Sequence, residues 1–217
     1  MKKNWYRRIS TTLGFSILIG IFSVFLLWQR VVYTVLPGHG SVLWKRVLLS
    51  GESNSIGPIG EGIHLVWPWN EFYTYDLRLK SKSMLYSVMS AEGLLLTLNI
   101  SYRYVVFDER LVDLNTRIGP DFPSTLIEPT IASVSREVVS HYTVEEIFGI
   151  KREEAANKIY AKIVSPGYMN GIGGRNSKPE TTLVRLFDIL LAEIILPETV
   201  RNSIESKQVA EQRIEQA

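Results

Sequence analysis

The sequence predicts an α+β protein: an N-terminal transmembrane helix, a β-rich domain with two or more packed helices, and the start of a C-terminal coiled-coil helix. Three observations predict it. The twenty residues Ile9 to Trp28 carry no charge. Residues 35–107 alternate apolar and polar side chains with the period of a strand. From Pro123 the apolar period changes to that of a helix. At 217 residues the chain can bury one sizeable core or two small ones. With 46% hydrophobic and 21% charged residues it is not a disordered chain, a fibrous repeat or a polytopic membrane protein.

The run Ile9–Trp28, as a helix, spans roughly 30 Å, the thickness of a bilayer core. Trp5 and Tyr6 stand at one end and Trp28 at the other, where amphipathic rings favour the water–lipid boundary. The run is longer than the apolar core of a signal peptide and no small-residue cleavage pair follows it, so an uncleaved anchor is expected. Lys2, Lys3, Arg7 and Arg8 precede the span, and only Arg30 follows closely. The positive-inside rule then keeps the N-terminus cytoplasmic and sends the domain to the opposite side, which is the periplasmic face of the inner membrane if the chain is bacterial. Ser16 and Gly20 form one small-xxx-small pair, weak by itself as a helix-pairing signal.

The net charge of +2 conceals two unlike parts. Residues 1–36 hold five bases and no acid, which leaves nineteen bases against all twenty-two acids in the remainder. The domain is therefore slightly acidic, and a nucleic-acid partner is not expected. There is no cysteine, hence no disulfide, thiolate metal site or cysteine nucleophile.

After the anchor, Leu94–Phe107 gives the clearest strand: Leu94, Leu96, Leu98, Ile100, Tyr102, Tyr104 and Val106 alternate with a wetter face bearing Thr97, Asn99, Ser101 and Arg103. Tyr73, Tyr75, Leu77 and Leu79 repeat the period, and Gly40–Leu49, Ile63–Trp67 and Met84–Met89 are shorter candidates. Gly57-Pro58 with Gly60, and Pro68 with Asn70, punctuate the connections. From Pro123 to His141 a helix is predicted by Ile127, Ile131, Val134 and Val138, with Pro129 forcing a late start or a kink. Thr143 and Glu146 have capping-box spacing, and Ile147, Ile150, Ala155, Ile159 and Ile163 continue a helical stripe. Residues 165–181, with four glycines and two prolines, are expected to be a mobile loop. Leu183–Leu196 is strand-like, and Pro197 opens a last helix to Ala217.

No catalytic chemistry is legible. His39, His64 and His141 are scattered, without an HExxH or an acidic partner at ligand spacing. His141, near a helix end, suits a cation on the helix dipole better than a base or ligand. GIGGR in the loop lacks the helix N-terminus a phosphate cradle needs, because Pro179 and a strand follow. No GxSxG is present. A non-enzyme is expected, with no catalytic residue, cofactor or metal.

Trp67 and Trp69 flank Pro68, with Phe72 and Tyr73 nearby. They are candidates for a tip that dips into the bilayer interface beside the anchor. Their spacing of two equally suits packing into the β-domain core. In the last helix, Val200, Ser203, Lys207, Ala210, Ile214 and Ala217 recur at 3-4 spacing, four of the six apolar. The candidate oligomerisation residues are Val200, Ile204, Ala210, Ile214 and Ala217, and a solvated amphipathic end fits the pattern as well.

Residues 31–217 together resemble the SPFH (stomatin/prohibitin/flotillin; Band 7) family. The likeness is carried by Leu36-Pro37-Gly38 and Gly40-Ser41-Val42-Leu43-Trp44-Lys45-Arg46, then Gly60-Glu61-Gly62-Ile63-His64 with Trp67-Pro68-Trp69, then Tyr75-Asp76-Leu77-Arg78-Leu79. It continues through Ile131 to Arg136, the corner from His141 to Ile147, and Ile195-Leu196-Pro197 leading into Lys207-Gln208-Val209-Ala210-Glu211-Gln212. Each motif is weak alone; their order behind one anchor is specific, and bacterial prohibitin-like members resemble it most. The resemblance implies a membrane-bound homo-oligomer, often a ring or cage, that organises a membrane microdomain and holds partners such as a membrane protease, and it favours the seam over the solvated helix end. A regulatory partner that restrains a membrane protease is the alternative. Family members usually continue into a long coiled coil, whereas this sequence stops at Ala217, and the loop 165–181 is longer than the family's. The expected divisions are 1–30 (N-terminus and anchor), 31–107 (β-rich SPFH first half), 108–197 (α/β second half) and 198–217 (start of the oligomerising helix).

Overall fold

A computed structural model describes residues 2–46, 55–165, 172–175 and 182–195, with the side chains of the first helix described for 13–23, 25–28 and 30–31. The chain forms two compact units, Met1–Tyr75 and Asp76–Ala217. The expected division at 107/108 falls inside the second unit, because a strand before it pairs with a strand after it.

The first unit opens with α1 (Lys2–Val31), which passes directly into β1 (Val32–Val35). β1 pairs with β4 (Gly62–Leu65) as an antiparallel ribbon, Val32 opposite Leu65 and Val35 opposite Gly62. β2 (His39–Trp44) lies between β3 (Ser55–Ile59) and β5 (Glu71–Asp76) in a three-stranded sheet. The core of this unit includes Val35, Val42, Leu43 and Tyr75. Gly57-Pro58, expected in a connection, instead lies within β3. An edge strand tolerates a residue without an N–H. The strand expected through Leu79 stops at Asp76, whose Oδ1 accepts from the Arg78 N–H at 3.0 Å and turns the chain.

The second unit is a four-stranded sheet with helices on one face. β6 (Lys80–Met89) and β7 (Leu95–Val106) form a long antiparallel pair, from Lys80 opposite Tyr104 to Met89 opposite Leu95. β6 thus begins four residues before Met84. β9 (Val184–Ile195) pairs with the other side of β7, and the two-residue β8 (Ile172–Gly173) runs parallel to the start of β9. The even-numbered residues of β7, Leu96 through Val106, are all buried, as the alternation predicted. Each aliphatic side chain fully buried there contributes about 1.5–3 kcal/mol.

α2 (Leu111–Arg117), preceded by a 3₁₀ turn at Asp108–Arg110, buries Leu111 and Leu114 and was not foreseen. The predicted helix from Pro123 divides into a π-helical turn, Pro123–Ile127, and α3 (Glu128–Val139). Pro129 sits in the first turn of α3, where no backbone donor is needed, so it marks a late start and not a kink. Thr143 and Glu146 form both bonds of the capping box ahead of α4 (Val144–Phe148). The stripe expected to run unbroken from Ile147 to Ile163 is interrupted: Gly149 leaves the helical region, and α5 (Arg152–Val164) starts anew. Ile150 consequently lies outside the core, 99% exposed, while Ala155, Ala156, Ile159 and Ile163 are buried. Within the expected mobile loop, Ile172–Gly173 form β8 against β9, with Ile172 4% exposed, while Arg175 is exposed.

Candidate membrane-proximal surface

The candidate surface lies where α1 hands over to the β1–β4 ribbon. α1 is 30 residues long, and its described apolar side chains, among them Phe15, Leu18, Phe22, Phe25 and Trp28, are exposed on every side. A helix apolar all round needs a non-aqueous neighbour. Among the described residues no helix is long and apolar enough to cross a membrane. The uncharged run Ile9–Trp28 extends beyond the side chains so described, as do Trp5 and Tyr6. The candidate seam residues Val200, Ile204, Ala210, Ile214 and Ala217 lie outside the described residues altogether.

The ribbon folds back toward the helix. Leu65 pairs with Val32, and the Val66 N–H donates to the Val31 carbonyl at 2.9 Å, so the next residue, Trp67, stands beside the last turn of α1. A turn closed by the Asn70 N–H on the Trp67 carbonyl then stacks Trp67 on Trp69, with ring centroids 5.0 Å apart and planes 11° apart. Neither ring enters the core: Trp67 is 66% and Trp69 44% exposed. Ile63 and Leu65, also strongly exposed, extend the same period-two series. Sequence reading took Ile63–Trp67 as a strand but did not single out these two residues. The signal was the odd-numbered run 63, 65, 67, 69, which a core strand shares.

A polar cluster holds the neighbouring strands. Tyr33 stacks on Phe72 at 4.1 Å, and its hydroxyl lies 3.2 Å from Thr74 Oγ1, itself 3.1 Å from Ser41 Oγ. Glu71 accepts from Arg46 Nη2 at 2.9 Å and from the Tyr73 hydroxyl at 3.1 Å. That carboxylate, with burial behind it, raises the Tyr73 pKa, and burial pushes Tyr75 up to about 12. These tyrosines are neutral structural groups.

The histidines do not converge. His39 Nδ1 lies 3.3 Å from the Pro37 carbonyl and His64 Nε2 lies 2.9 Å from that of Gly60. His141 is exposed two residues beyond α3. Among the described residues no three metal-ligating side chains come together. Gly173 and Gly174 of the GIGGR segment are buried, and a Cβ on Gly174 would lie 2.3 Å from Val164 Cγ1, so Gly174 permits close packing on α5.

A β-rich domain of this order, with helices on one face of its second sheet, carries the motifs quoted above. The sequence model of the SPFH domain / Band 7 family matches residues 33–217, and the chain belongs to that family. Within it the chain is prohibitin-like. It is 24% identical to Prohibitin-1 of Schizosaccharomyces pombe over 94% of this chain and 66% of that protein. It is 23% identical to Prohibitin-2 of Dictyostelium discoideum, over 94% of this chain and 64% of that protein. The figures for Prohibitin-2 of Saccharomyces cerevisiae are 24%, 94% and 60%. The chain thus spans under two thirds of the length of these curated relatives.

Proposed function

We propose that the protein is a non-enzymatic, membrane-anchored scaffold. α1 crosses the bilayer once, the N-terminus stays on the cytoplasmic side, and the SPFH domain on the other side assembles with further copies, as a ring or cage, to organise a membrane microdomain. The observation that carries the reading is the unbroken passage from the 30-residue helix α1, whose described apolar side chains are exposed, into a ribbon whose exposed tryptophan turn comes back beside the helix end. Trp67 and Trp69, with Trp5, Tyr6 and Trp28, then rest in the interfacial layers. Family membership and the likeness to prohibitins support the scaffold class. A seam along Val200, Ile204, Ala210, Ile214 and Ala217 would tie neighbouring protomers. Imaging and mass measurement of gently solubilised full-length protein test the reading. A closed assembly is the expected result; a monomer both in mild detergent and in native membranes would overturn it.

One observation favours a second reading, in which the chain binds and restrains a membrane protease. A groove of about 990 Å³ runs between α5 and β9, with Ile150, Ala156, Val164 and Leu190 among its walls, and offers apolar surface to a protein partner. Native pull-down that returns a stoichiometric protease, with substrate turnover altered on deletion, supports it; a pull-down lacking any protease sinks it.

A further inference from the structure

Basic side chains flank the tryptophan turn. Among the described residues that follow the uncharged run in the first unit, three are basic, Arg30, Lys45 and Arg46, and two are acidic, Glu61 and Glu71. Arg30 stands exposed in the last turn of α1, directly before Val31, whose carbonyl fixes the residue preceding Trp67. On the other flank, Glu71 follows Trp69 closely in the chain and accepts from the Arg46 guanidinium at 2.9 Å, which brings Lys45 and Arg46 beside the turn. All three bases therefore gather where α1 meets the rest of the unit.

The acids are placed otherwise. Glu61 lies at the far end of the β1–β4 ribbon, beside the Val35–Gly62 pair, and its carboxylate accepts from the Gly38 N–H at 2.9 Å. Glu71 is shared between Arg46 and the Tyr73 hydroxyl. Arg46 holds its guanidinium carbon 5.8 Å from the centre of the Trp44 ring and still has 59% of its side chain exposed. Among the described residues neither Arg30 nor Lys45 forms an ion pair. The negative end of the α1 dipole accounts for Arg30 by itself. It does not account for two further bases carried to the same place by the end of β2.

We propose that this end of the first unit is a binding site for the phosphate of an anionic phospholipid, held by Arg30, Lys45 and Arg46 around the tryptophan turn. The rings decide for a lipid over free phosphate: exposed indoles favour the water–lipid boundary, and headgroup phosphates lie directly outside that layer. The guanidinium fork matches phosphate oxygens in pairs. Three positive side chains against one shared carboxylate favour a lipid of net negative charge over a zwitterionic one. The inference rests on the interfacial tip in the reading above and names the class of lipid it meets.

The test uses the full-length chain carrying Trp5→Phe, Trp28→Phe and Trp44→Phe, so that Trp67 and Trp69 alone emit. It is reconstituted into vesicles of phosphatidylglycerol and phosphatidylcholine in equal parts, with bromine on the acyl chains of one lipid or of the other in separate preparations. Brominated phosphatidylglycerol is expected to quench more strongly, a local selectivity of about fivefold, the factor one basic side chain is worth beside an anionic surface. Adding Arg30→Gln, Lys45→Gln and Arg46→Gln should bring the two lipids to parity with unchanged far-ultraviolet circular dichroism. The charge-keeping variant Arg30→Lys with Arg46→Lys should retain most of the selectivity; a loss as complete as in the glutamine variant would make the effect structural and overturn the site. Inorganic phosphate at matched ionic strength should leave the selectivity unchanged, and its abolition would assign the cluster to free phosphate instead. Equal quenching by the two lipids overturns the site and leaves the interfacial tip standing. No quenching by either overturns both.

Discussion

At the scale of single residues, Gly174 shows how a composition signal and its cause can part. Its glycine-rich surroundings suggest a loop, yet the residue is required because Val164 of α5 leaves no room for a Cβ. Beside it the Tyr160 hydroxyl accepts from the Arg175 N–H at 2.9 Å and donates to the Leu186 carbonyl, tying the end of β8 to β9. Gly174→Ala is expected to destabilise the domain by about 1–3 kcal/mol, measured as a lowered midpoint in denaturant. The titrating residues set the pH limits. Glu146 is held below the ordinary carboxylate range by Lys151 and by the Thr143 backbone, Glu154 by Lys158, and Asp188 by Arg103. A depressed folded pKa gives stability that is present above the unfolded value, about 4, and is lost as pH falls through the folded one. The thermal midpoint should therefore fall below about pH 4, and less steeply in a Glu146→Gln, Glu154→Gln, Asp188→Asn variant. An equal fall would contradict the assignment. Tyr75 and Tyr86, both pushed up to about 12 by burial, add a loss of the opposite sign, as pH rises from 10 toward 12.

At the scale of elements, local chemistry was legible where a residue acts on its own neighbours. The Thr143–Glu146 capping box and the alternation of β7 formed as their spacing required. The exposure of the Trp67–Trp69 turn was not legible, because a period of two serves an exposed turn and a buried strand equally well. What separates them is the turn at Asn70 and the pairing of β4 with β1, contacts remote in sequence. The proposed interfacial role yields a direct prediction. In a Trp5→Phe, Trp28→Phe, Trp44→Phe background reconstituted into vesicles of brominated lipid, the fluorescence of Trp67 and Trp69 should be quenched relative to unbrominated vesicles. Unquenched emission with both rings in water would remove the tip from the membrane reading.

At the scale of the whole molecule, the charge pattern bears on the proposed topology, in which the domain lies across the bilayer from the N-terminus. All four bases ahead of the uncharged run lie within eight residues of the start. Replacing Lys2, Lys3, Arg7 and Arg8 by glutamine should convert a single protease-protection pattern into a mixed one, since Arg30, Lys45 and Arg46 would then dominate. A pattern that stays uniform would show that orientation is set elsewhere. The division of the chain into 1–75 and 76–217 has a similar lesson. The change of apolar period suggested a division into two halves where strands give way to helices, at 107/108. The pairing of β7 with β9 closes the sheet across that point, and only the register of two strands some ninety residues apart could reveal it.

The sequence by itself determined the apolar run, the membership of an SPFH architecture, the buried face of β7, the caps and the uneven charge. These depend on residue type, on spacing within one element, or on the order of motifs and charges along the chain. The tertiary structure decided which apolar residues are left outside: Trp67 and Trp69 on the first unit, Ile150 beside α5, Leu85 and Met89 along β6. It also decided that the lysines of β6 pair with Asp76 and Glu128. The reason is physical. Whether a hydrophobic side chain is core or surface, and whether a charge is free or paired, depends on what another segment brings against it, and periodicity within one strand carries no record of that segment.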